Sequence, residues 1–386
     1  MPRLQKSGKL ERKTKGCLAL CRALCLTLAA VAGWLLGPAL AAGQSLSKGK
    51  GDLRVMTYNV DEGTDFLEVQ RATNLTEFLL GVGQTITQVR ATNPPTRMQA
   101  VAKQIIAAHP ALVSLQELDK WSSGPFNPHT GQCGATTLEF DMLQELTDAL
   151  KAQGAHYEVA VQAPQYAFAP TPGLILPNTF LCVQVTNFVA ILARTDLDKS
   201  KFQWSNPQGK QFAAALVFPT PLGNVPLPRA WVSVDAKFHG KDFRFIGTHL
   251  ESVVPQIREL QGNELRGGPA NTSLPIILAM DSNAQAFPLP QDLTYMDFIA
   301  AGYNDVWSEL FPLRPGLTCC QAQFDNNPVS QLYQRIDLIL TLGSIEAEHI
   351  ALFGIDASSR TSGGLWPSDH AGVAAQLAVE GRTDPG

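Results

Sequence analysis

Short apolar runs, separated by segments rich in Gly, Pro, Asn and Asp, dominate this chain. Runs of about four to eight apolar or alternating residues are typical of β-strands, whereas apolar residues three or four positions apart indicate helices. Strands are predicted at 53–60, 111–115, 157–161, 187–194, 230–238, 243–248, 275–281, 335–340 and 371–379. Helices are predicted near 75–80, 97–109, 138–153, 254–265 and 291–301. Because strands outnumber helices, the pattern predicts an α/β fold in which two mixed sheets pack face to face with helices outside.

The segments between these elements differ in character. Residues 61–96 are polar and predict irregular structure around one short helix, and residues 121–137 predict a loop. The turn at 239–242 predicts a hairpin between its flanking strands. Residues 163–181 and 212–231 are apolar and rich in proline. If exposed, these two stretches can meet lipid or a large apolar substrate; if packed, they cover the edge of a sheet.

The amino-terminal region has the order of a secretory leader. Residues 1–16 hold six basic side chains and one acidic one, an apolar run extends from Cys17 to Leu36, and small residues follow at 38–43. A basic region, an apolar core and a small-residue exit are typical of a signal peptide. We predict a signal peptide at 1–41, a linker at 42–51, one domain at 52–380 and a tail at 381–386. The protein is then secreted or periplasmic; the alternative is a membrane anchor, because roughly 20 apolar residues span a bilayer.

Removal of the leader makes the chain acidic. The full sequence has 30 basic and 34 acidic residues, of which the leader accounts for seven basic residues and one acidic residue. The remaining chain holds 23 basic and 33 acidic residues, a net charge of −10. This balance does not favour long-range attraction to a polyanion such as duplex DNA, although a bound divalent cation reverses the field locally. The sequence also has no basic stretch interleaved with aromatic residues, of the kind that follows a nucleic-acid backbone.

Four of the seven cysteines lie outside the leader, namely Cys133, Cys182, Cys319 and Cys320. An even number of cysteines in an exported protein favours two disulfides, for which three connectivities exist. Neighbouring cysteines rarely bridge each other, so we expect Cys319 and Cys320 each to pair with a distant partner. The spacing does not match a zinc site built from paired Cys-x-x-Cys motifs.

Acids, amides and imidazoles recur where the predicted strands stop. They are Asn59 with Asp61, Glu117, His249, Asp281 with Asn283, Asp337, and Asp369 with His370. Each alone has a structural explanation, such as a solvated strand end, a hydrogen-bonded core histidine or an Asx turn. The Asp-x-Asn pair after the 275–281 strand can present two oxygens on one side, which suits a hard cation or a phosphate edge. Their joint occurrence at the same kind of strand end predicts a single site.

Six motifs contain these residues and appear in a fixed order. They are Thr57-Tyr-Asn-Val-Asp61, Leu115-Gln-Glu-Leu118, Gly247-Thr-His-Leu-Glu251, Ala279-Met-Asp-Ser-Asn283, Arg335-Ile-Asp-Leu-Ile-Leu340 and Ser368-Asp-His-Ala-Gly-Val373. Together they resemble the endonuclease/exonuclease/phosphatase superfamily, the deoxyribonuclease-I-like fold, over about residues 52–380. The loop at 316–328 resembles that of a secreted bacterial subgroup whose substrates are not established. The resemblance implies a four-layer α/β sandwich and Mg²⁺-dependent hydrolysis of a phosphoester.

The resemblance also implies a metal site. Its principal ligand would be Glu117, and its helping ligands would be Asn59, Asp61 and Asp369. Mg²⁺ takes oxygen ligands, keeps several waters and needs few carboxylates, which agrees with this set; Mn²⁺ is the alternative ion. Zn²⁺ fits less well, because the chain has no His-x-x-x-His motif and its cysteines lie away from the motifs in sequence.

The same resemblance implies how the phosphoester would be hydrolysed. Asp281 and Asn283 would hold the attacking water and a phosphate oxygen. Asp337 would orient His370, and His249 would contact the phosphate or protonate the leaving oxygen. A histidine beside a carboxylate can move protons near neutral pH, and a buried aspartate fixes its tautomer.

Three functions are compatible with this sequence. The favoured one is a secreted Mg²⁺-dependent phosphodiesterase of nuclease type, since deoxyribonucleases, sphingomyelinases and inositol-polyphosphate phosphatases carry histidine at the position of His249, where relatives that repair abasic DNA carry tyrosine. The second is a sphingomyelinase-like phospholipid phosphodiesterase that contacts membranes transiently through 163–181. The third is a non-catalytic binding module, against which the complete residue set argues. The expected partner is a phosphoester substrate, either nucleic acid or phospholipid, and no stable protein partner is predicted.

Overall fold

A computed structural model describes residues 53–380, so the predicted signal peptide, linker and tail lie outside the described residues. The strands in this part are β1 (Leu53–Asn59), β2 (Leu112–Asn127), β3 (Gln132–Cys133), β4 (Thr137–Asp141), β5 (Tyr157–Ala167), β6 (Thr171–Ile175), β7 (Thr179–Arg194), β8 (Phe202–Gln211), β9 (Leu216–Thr220), β10 (Gly223–Leu227), β11 (Ala230–Phe238), β12 (Lys241–His249), β13 (Ile276–Asp281), β14 (Asn304–Asp305), β15 (Asp337–Leu342), β16 (Ile345–Phe353) and β17 (Gly372–Val379). The α-helices are α1 (Leu67–Gln70), α2 (Leu75–Thr92), α3 (Pro94–Ala108), α4 (Met142–Ala152), α5 (Pro255–Gly267), α6 (Leu293–Ala300) and α7 (Val306–Leu310).

Two large sheets organise these elements. The first has the strand order β16-β17-β1-β2-β7-β5, with β3 and β4 paired to β2 and β6 paired to β7. The second has the order β14-β15-β13-β12-β11-β8. Each sheet contains a parallel pair, β1 with β2 in the first and β12 with β13 in the second, among antiparallel neighbours. The prediction of two mixed sheets is therefore confirmed.

Three hydrophobic clusters define the layers of the fold. The largest lies between the sheets and combines buried residues of β1, β2, β7 and β17 with those of β11, β12, β13 and β15. A second cluster joins the other face of the first sheet to α3 and α4, and a third joins the second sheet to α5 and α6. Since a fully buried aliphatic or aromatic side chain contributes about 1.5–3 kcal/mol, these interfaces hold the four layers together. The protein is a four-layer α/β sandwich.

Two segments depart from the sequence prediction. Residues 75–92 form one continuous helix in place of a short helix in irregular chain. This helix is capped by Asn74, whose side chain accepts a hydrogen bond from the Glu77 N–H at 3.0 Å. Residues 121–127, predicted as a loop, continue strand β2 and pair with β7. In both cases tertiary packing decides the outcome, because the local pattern of Gly, Ser, Thr and Pro is weak for either element.

The two apolar, proline-rich stretches are partly packed and partly exposed. Strand β6, within the first stretch, pairs with β7 and lies against α2, while Leu176 at the following turn is 69% exposed. The second stretch forms the hairpin β9–β10, where Val217 and Leu222 are 54% and 57% exposed. Among residues 53–380, no helix combines the length and the apolar character needed to cross a membrane.

The cysteine pairing differs from expectation. Cys133 pairs with Cys182, with their Cα atoms 5.5 Å apart, and Cys319 pairs with Cys320 across a cis peptide bond. The expectation that Cys319 and Cys320 each find a distant partner is wrong. Both Cys133 and Cys182 lie on strands that flank the end of β2, so they use each other and leave no distant cysteine within the described residues.

In a Cys133→Ser variant we expect the free energy of unfolding to fall by about 2–4 kcal/mol, because the lost bridge spans 49 residues and no longer restricts the unfolded chain. Position 133 is only half-buried, so little packing is lost with the sulfur. Denaturant unfolding without reductant measures the effect. An unchanged midpoint would show that the bridge does not form in solution.

Candidate functional site

Strand register places the predicted site residues next to one another. In the second sheet, His249 at the end of β12 pairs with Asp281 at the end of β13, and Asp281 pairs with Asp337 at the start of β15. In the first sheet, Asn59 at the end of β1 pairs with Gln116 on β2. Because parallel strands end at the same edge of a sheet, these side chains collect at one edge of the sandwich.

The amide of Asn59 joins the two sheets at this edge. Its Nδ2 donates to Glu117 Oε1 at 2.8 Å and to Asp281 Oδ2 at 2.9 Å, and the Asn59 side chain is fully buried. Its Oδ1 accepts from the Asp61 N–H at 3.0 Å. The other oxygen of Asp281 accepts from the Asn283 N–H, also at 3.0 Å. Both carboxylates are therefore held in fixed orientations.

A β-bulge aims Glu117 into the site. The register between β2 and β7 shifts between Leu115 and Leu118, and Glu117 within the shift has a φ of 60°. A bulge re-aims a side chain, and a left-handed backbone at a glutamate is uncommon, so the surrounding structure must enforce it. The Glu62 N–H donates to Glu117 Oε2 at 2.9 Å. The sequence prediction ended the strand at this point, whereas β2 continues beyond the bulge.

Two imidazoles flank Asp281. His249 Nε2 lies 3.4 Å from Asp281 Oδ2 and 3.9 Å from Glu117 Oε1. On the other side, His370 Nε2 lies 3.9 Å from Asp281 Oδ2, and His370 Nδ1 lies 2.8 Å from Asp337 Oδ2. This contact orients the His370 ring in the way that the sequence implied.

The two remaining predicted acids complete the cluster. Asp369 Oδ1 lies 3.8 Å from His370 Nε2. Asp61 caps the loop after β1, since its Oδ1 accepts from the Gly63 N–H at 2.7 Å, and its Oδ2 lies 3.4 Å from Arg97 Nη1. The structure thus brings all nine predicted site residues together, although it does not by itself assign their roles.

Burial and mutual repulsion raise the pKa values of the carboxyl groups. Burial, followed by the charge of Asp337, raises the pKa of Asp281 from 3.8 to about 6. Burial and the charge of Asp61 raise the pKa of Glu117, and burial raises the pKa of Asp369 well above its ordinary value. Such crowding makes a nearby cation favourable, because a cation stabilises the ionised forms.

The two histidines are pushed in opposite directions. Burial, helped by the charge of Arg229, holds the pKa of His249 well below its ordinary value, so this ring is neutral near pH 7. Burial also acts to lower the pKa of His370, but the charges of Asp337 and Asp369 outweigh it and raise that pKa well above the ordinary value. One neutral and one charged imidazole therefore face Asp281.

The donor set fits a hard divalent cation. Glu117, His249 and Asp281 each offer a ligand atom, and these atoms lie within 4.8 Å of one another. Two buried carboxylate oxygens of the cluster, Asp337 Oδ1 and Asp369 Oδ1, have no hydrogen-bond partner within the described residues. Buried anionic oxygens need a cation or a donor, and a mainly oxygen set is what Mg²⁺ and Mn²⁺ prefer.

One part of the sequence argument about metals is wrong. Cys319 and Cys320 do not lie away from the site, since their sulfurs are within 4.8 Å of ligand atoms of Asp369 and His370. The loop that carries them folds back, and Cys319 forms a β-bridge with His370. The preference against Zn²⁺ stands on other ground, because the two sulfurs are joined to each other and are not thiolates.

Arg97 supports the site from a helix that the sequence analysis treated as core alone. It is fully buried, and its guanidinium donates to the carbonyl oxygens of Val60 at 2.7 Å and Asp61 at 2.9 Å. A third contact, at 3.3 Å, goes to the carbonyl of Pro367. The signal was present in the sequence, because a charged residue occupies the apolar face of this helix one turn before Val101.

Arg229 is a second cation that the sequence analysis missed. Its Nη1 lies 3.1 Å and 3.3 Å from the two ring nitrogens of His249, and its Nη2 donates to Ser252 Oγ at 3.3 Å. The residue immediately precedes β11, and only the pairing of β11 with β12 brings it to the site. No local pattern in the sequence marks it.

A carboxylate network adjoins Glu117. Glu62 Oε2 accepts from the Tyr166 hydroxyl and from Asn187 Nδ2 at 3.0 Å, and the same Nδ2 donates to Asp119 Oδ1 at 2.6 Å. Burial and the charge of Glu117 raise the pKa of Glu62 well above its ordinary value. The network links β2, β5 and β7 beside the bulge and also lacks a local sequence signal.

Comparison with known proteins establishes the fold. No protein-family model and no curated protein matches this sequence. An endonuclease/exonuclease/phosphatase family protein from Bacteroides thetaiotaomicron matches with a TM-score of 0.52 at 17% identity, covering 85% of this chain and 98% of that chain. A second one, from Leptotrichia buccalis, matches with a TM-score of 0.50 at 13% identity, covering 84% and 99%. The chain therefore has the fold of endonuclease/exonuclease/phosphatase family proteins.

Proposed function

We propose that this protein is a metal-dependent phosphodiesterase of nuclease type. The observation that carries the proposal is the amide of Asn59, which holds Glu117 and Asp281 together across the two sheets between a neutral and a charged histidine. Mg²⁺ would be held by Glu117 with help from Asn59, Asp61 and Asp369. When bound, it would neutralise charge on the phosphoryl oxygens, which otherwise repels a nucleophile.

Asp281 is the general base of this proposal. Its raised pKa of about 6 makes it a better proton acceptor than an ordinary aspartate while leaving it ionised near pH 7. Asn59 and the Asn283 N–H each hold one of its oxygens, so the carboxylate has a fixed orientation toward the attacking water. The side chain of Asn283 donates to the Leu250 carbonyl at 3.0 Å, which leaves its Oδ1 for the water or the phosphate.

His370 acts as a charged donor to the phosphoryl group or to the leaving oxygen. Asp337 holds its Nδ1 at 2.8 Å, so the Nε2–H is the free donor. The raised pKa of His370 keeps this proton in place near pH 7. A buried carboxylate behind the ring stabilises the imidazolium form, as the proposed role requires.

His249 and Arg229 form the phosphate-contacting pair. The lowered pKa of His249 disfavours the proton-donating alternative, because a neutral ring beside a guanidinium does not hold an extra proton. The guanidinium of Arg229 lies 3.1 Å from that ring and is only half-buried. An arginine in this position suits a phosphate oxygen.

We expect Mg²⁺ to raise the melting temperature by about 2 °C more at pH 7.5 than at pH 5.0. The folded protein holds extra protons on Asp281 between 3.8 and about 6, so the free energy of unfolding of the metal-free protein falls as pH rises through this window. At pH 5 roughly a tenth of this carboxyl is ionised, which weakens metal binding about tenfold. For a chain of this size that factor corresponds to about 2 °C.

Thermal unfolding with and without 10 mM Mg²⁺, on the order of physiological concentration or above, gives the two shifts. Na⁺ at equal ionic strength is the control for screening. Equal Mg²⁺ shifts at the two pH values would contradict a site built on these carboxylates.

One substrate panel tests the proposed function. Plasmid DNA, RNA, sphingomyelin vesicles, inositol phosphates and bis-p-nitrophenyl phosphate are incubated with Mg²⁺, with Mn²⁺ and with chelator. We expect hydrolysis of bis-p-nitrophenyl phosphate with either ion and none with chelator. Absence of hydrolysis of every substrate would favour a non-catalytic binding module of this fold.

A phospholipid is the second candidate substrate, because apolar side chains are exposed at two hairpin tips. Leu176 and Phe180 border the turn between β6 and β7, and Leu222 lies in the turn between β9 and β10. In that case the protein binds vesicles, and Leu176→Asp weakens the binding. Sphingomyelin hydrolysis in the panel without vesicle binding would count against membrane contact through this surface.

We also propose that the protein is exported by cleavage of residues 1–41. The order of basic, apolar and small residues supports this, and the Cys133–Cys182 disulfide is compatible with an oxidising compartment. Amino-terminal sequencing of the protein recovered from the culture medium or periplasm identifies the first residue. A first residue near 42 is expected, and an intact leader would favour the membrane anchor.

A further inference from the structure

Glu62 lies beside the proposed metal site but belongs neither to the predicted ligands nor to the proton-handling groups. Its backbone N–H donates to Glu117 Oε2 at 2.9 Å, so its side chain begins next to the principal metal ligand. The charges that act on the Glu62 carboxylate come from Glu117, Asp119 and Arg229. The carboxylate is therefore close both to the acids that would hold the metal and to the cation that would contact the phosphate.

Rigid neighbours hold one oxygen of this carboxylate. Oε2 accepts from the Tyr166 hydroxyl and from Asn187 Nδ2 at 3.0 Å. Asn187 is fully buried on β7, and Tyr166 stacks on Phe168 with ring centroids 4.9 Å apart. Because both donors are fixed by packing, the carboxylate has one preferred orientation.

The other oxygen of the carboxylate is unused. Within residues 53–380, Oε1 of Glu62 has no hydrogen-bond partner, and the residue is partly exposed. An ionised carboxylate oxygen accepts hydrogen bonds and cannot donate them. A substrate group that reaches this position therefore meets a fixed, negatively charged acceptor.

We infer that Glu62 is a specificity-determining residue, which accepts a hydrogen bond from a hydroxyl or ammonium group next to the scissile phosphate and rejects a second phosphate there. This inference rests on the proposed function, because that function places the scissile phosphate between Glu117 and Arg229. A hydroxyl or ammonium donor satisfies the free oxygen, whereas a second phosphate adds charge of the same sign. The preferred substrates are then phosphodiesters of polyols or amino alcohols, and a polynucleotide is disfavoured.

The test compares four substrates in the full-length protein and in a Glu62→Gln variant, all with Mg²⁺. Bis-p-nitrophenyl phosphate is the reference, because it offers neither a donor nor a second phosphate. Glycerophosphoinositol supplies hydroxyl donors, glycerophosphoethanolamine supplies an ammonium donor, and a short single-stranded DNA oligonucleotide supplies further phosphates. Glu309→Gln is the matched control, since Glu309 is exposed on α7.

Relative to the reference substrate, we expect Glu62→Gln to lower kcat/KM about tenfold for at least one donor-bearing substrate and to raise it about tenfold for the oligonucleotide. A fall for glycerophosphoinositol alone identifies hydroxyls as the donor, and a larger fall for glycerophosphoethanolamine identifies the ammonium group. Glu309→Gln should leave all ratios within about twofold of the wild type.

Two outcomes would overturn the inference, and they are distinguishable. If the wild type hydrolyses the reference substrate but Glu62→Gln changes every kcat/KM by the same factor, the role of Glu62 is structural and the proposed function stands. If the wild type hydrolyses none of the four substrates, the proposed function and the inference both fail.

Discussion

The Glu117→Gln variant is expected to lose at least about 10³-fold of the Mg²⁺-dependent kcat/KM on bis-p-nitrophenyl phosphate. Both oxygens of Glu117 accept from fixed donors, Asn59 Nδ2 at 2.8 Å and the Glu62 N–H at 2.9 Å. A glutamine at this position must turn its NH₂ group toward one of these donors, so it clashes electrostatically in either orientation. The substitution also removes the charge of the proposed principal metal ligand, and Mg²⁺ affinity should fall with the activity.

Isothermal titration with Mg²⁺ and circular dichroism separate loss of metal binding from loss of fold. Glu309→Gln on the exposed face of α7 is the control and should retain full activity. A Glu117→Gln variant that binds Mg²⁺ as tightly as the wild type would remove Glu117 from the metal site. If Glu117→Gln, Asp281→Asn and His370→Ala all retained activity, the proposed function itself would be refuted.

The Asp281→Asn variant is expected to lose about 10³-fold in kcat and to keep or increase its stability near pH 7. Asp281 is fully buried beside other acids, and its raised pKa of about 6 means that ionisation is unfavourable in the folded, metal-free protein. An asparagine removes this unfavourable charge and, with it, the proposed general base. Loss of activity together with unchanged or higher stability is a combination that a merely structural residue does not give.

The pH profile supplies an independent measure of the same residue. The wild-type rate should rise with pH as Asp281 ionises, at a midpoint of about 6 or lower when a cation is bound. The residual activity of Asp281→Asn should lack this rising limb. Asp242→Asn, whose side chain is 55% exposed at the hairpin turn, is the matched control. An unaltered rising limb in Asp281→Asn would assign the titration to another group.

The layer architecture and much of the site followed from local sequence. Alternating and apolar runs marked most of the strands, because a strand that faces a core on one or both sides must carry apolar side chains at those positions. The amphipathic pattern over 97–109 marked α3 for the same reason. The polar residues that end β1, β12, β13 and β15 indicated a site, because strand ends at one sheet edge are close in space.

The sequence did not reveal the helix at 75–92 or the continuation of β2 to Asn127. Both depend on contacts with distant segments: α2 packs on β6, and the end of β2 pairs with β7. Arg229 and Glu62 were missed for the same reason, since each reaches the site through residues far away in sequence. The pairing of Cys319 with Cys320 also contradicts the expectation from sequence spacing.

The sequence by itself determined which residue types are present to hold a cation and handle protons, and on which strand ends they lie, because these features depend on local patterns and side-chain chemistry. Only the tertiary structure decided how they face one another. The bulge at Glu117, the bridging amide of Asn59 and the opposite pKa shifts of His249 and His370 all arise from the packing of one sheet against the other. Orientation, burial and mutual charge are properties of the assembled layers, and no single segment of the chain contains them.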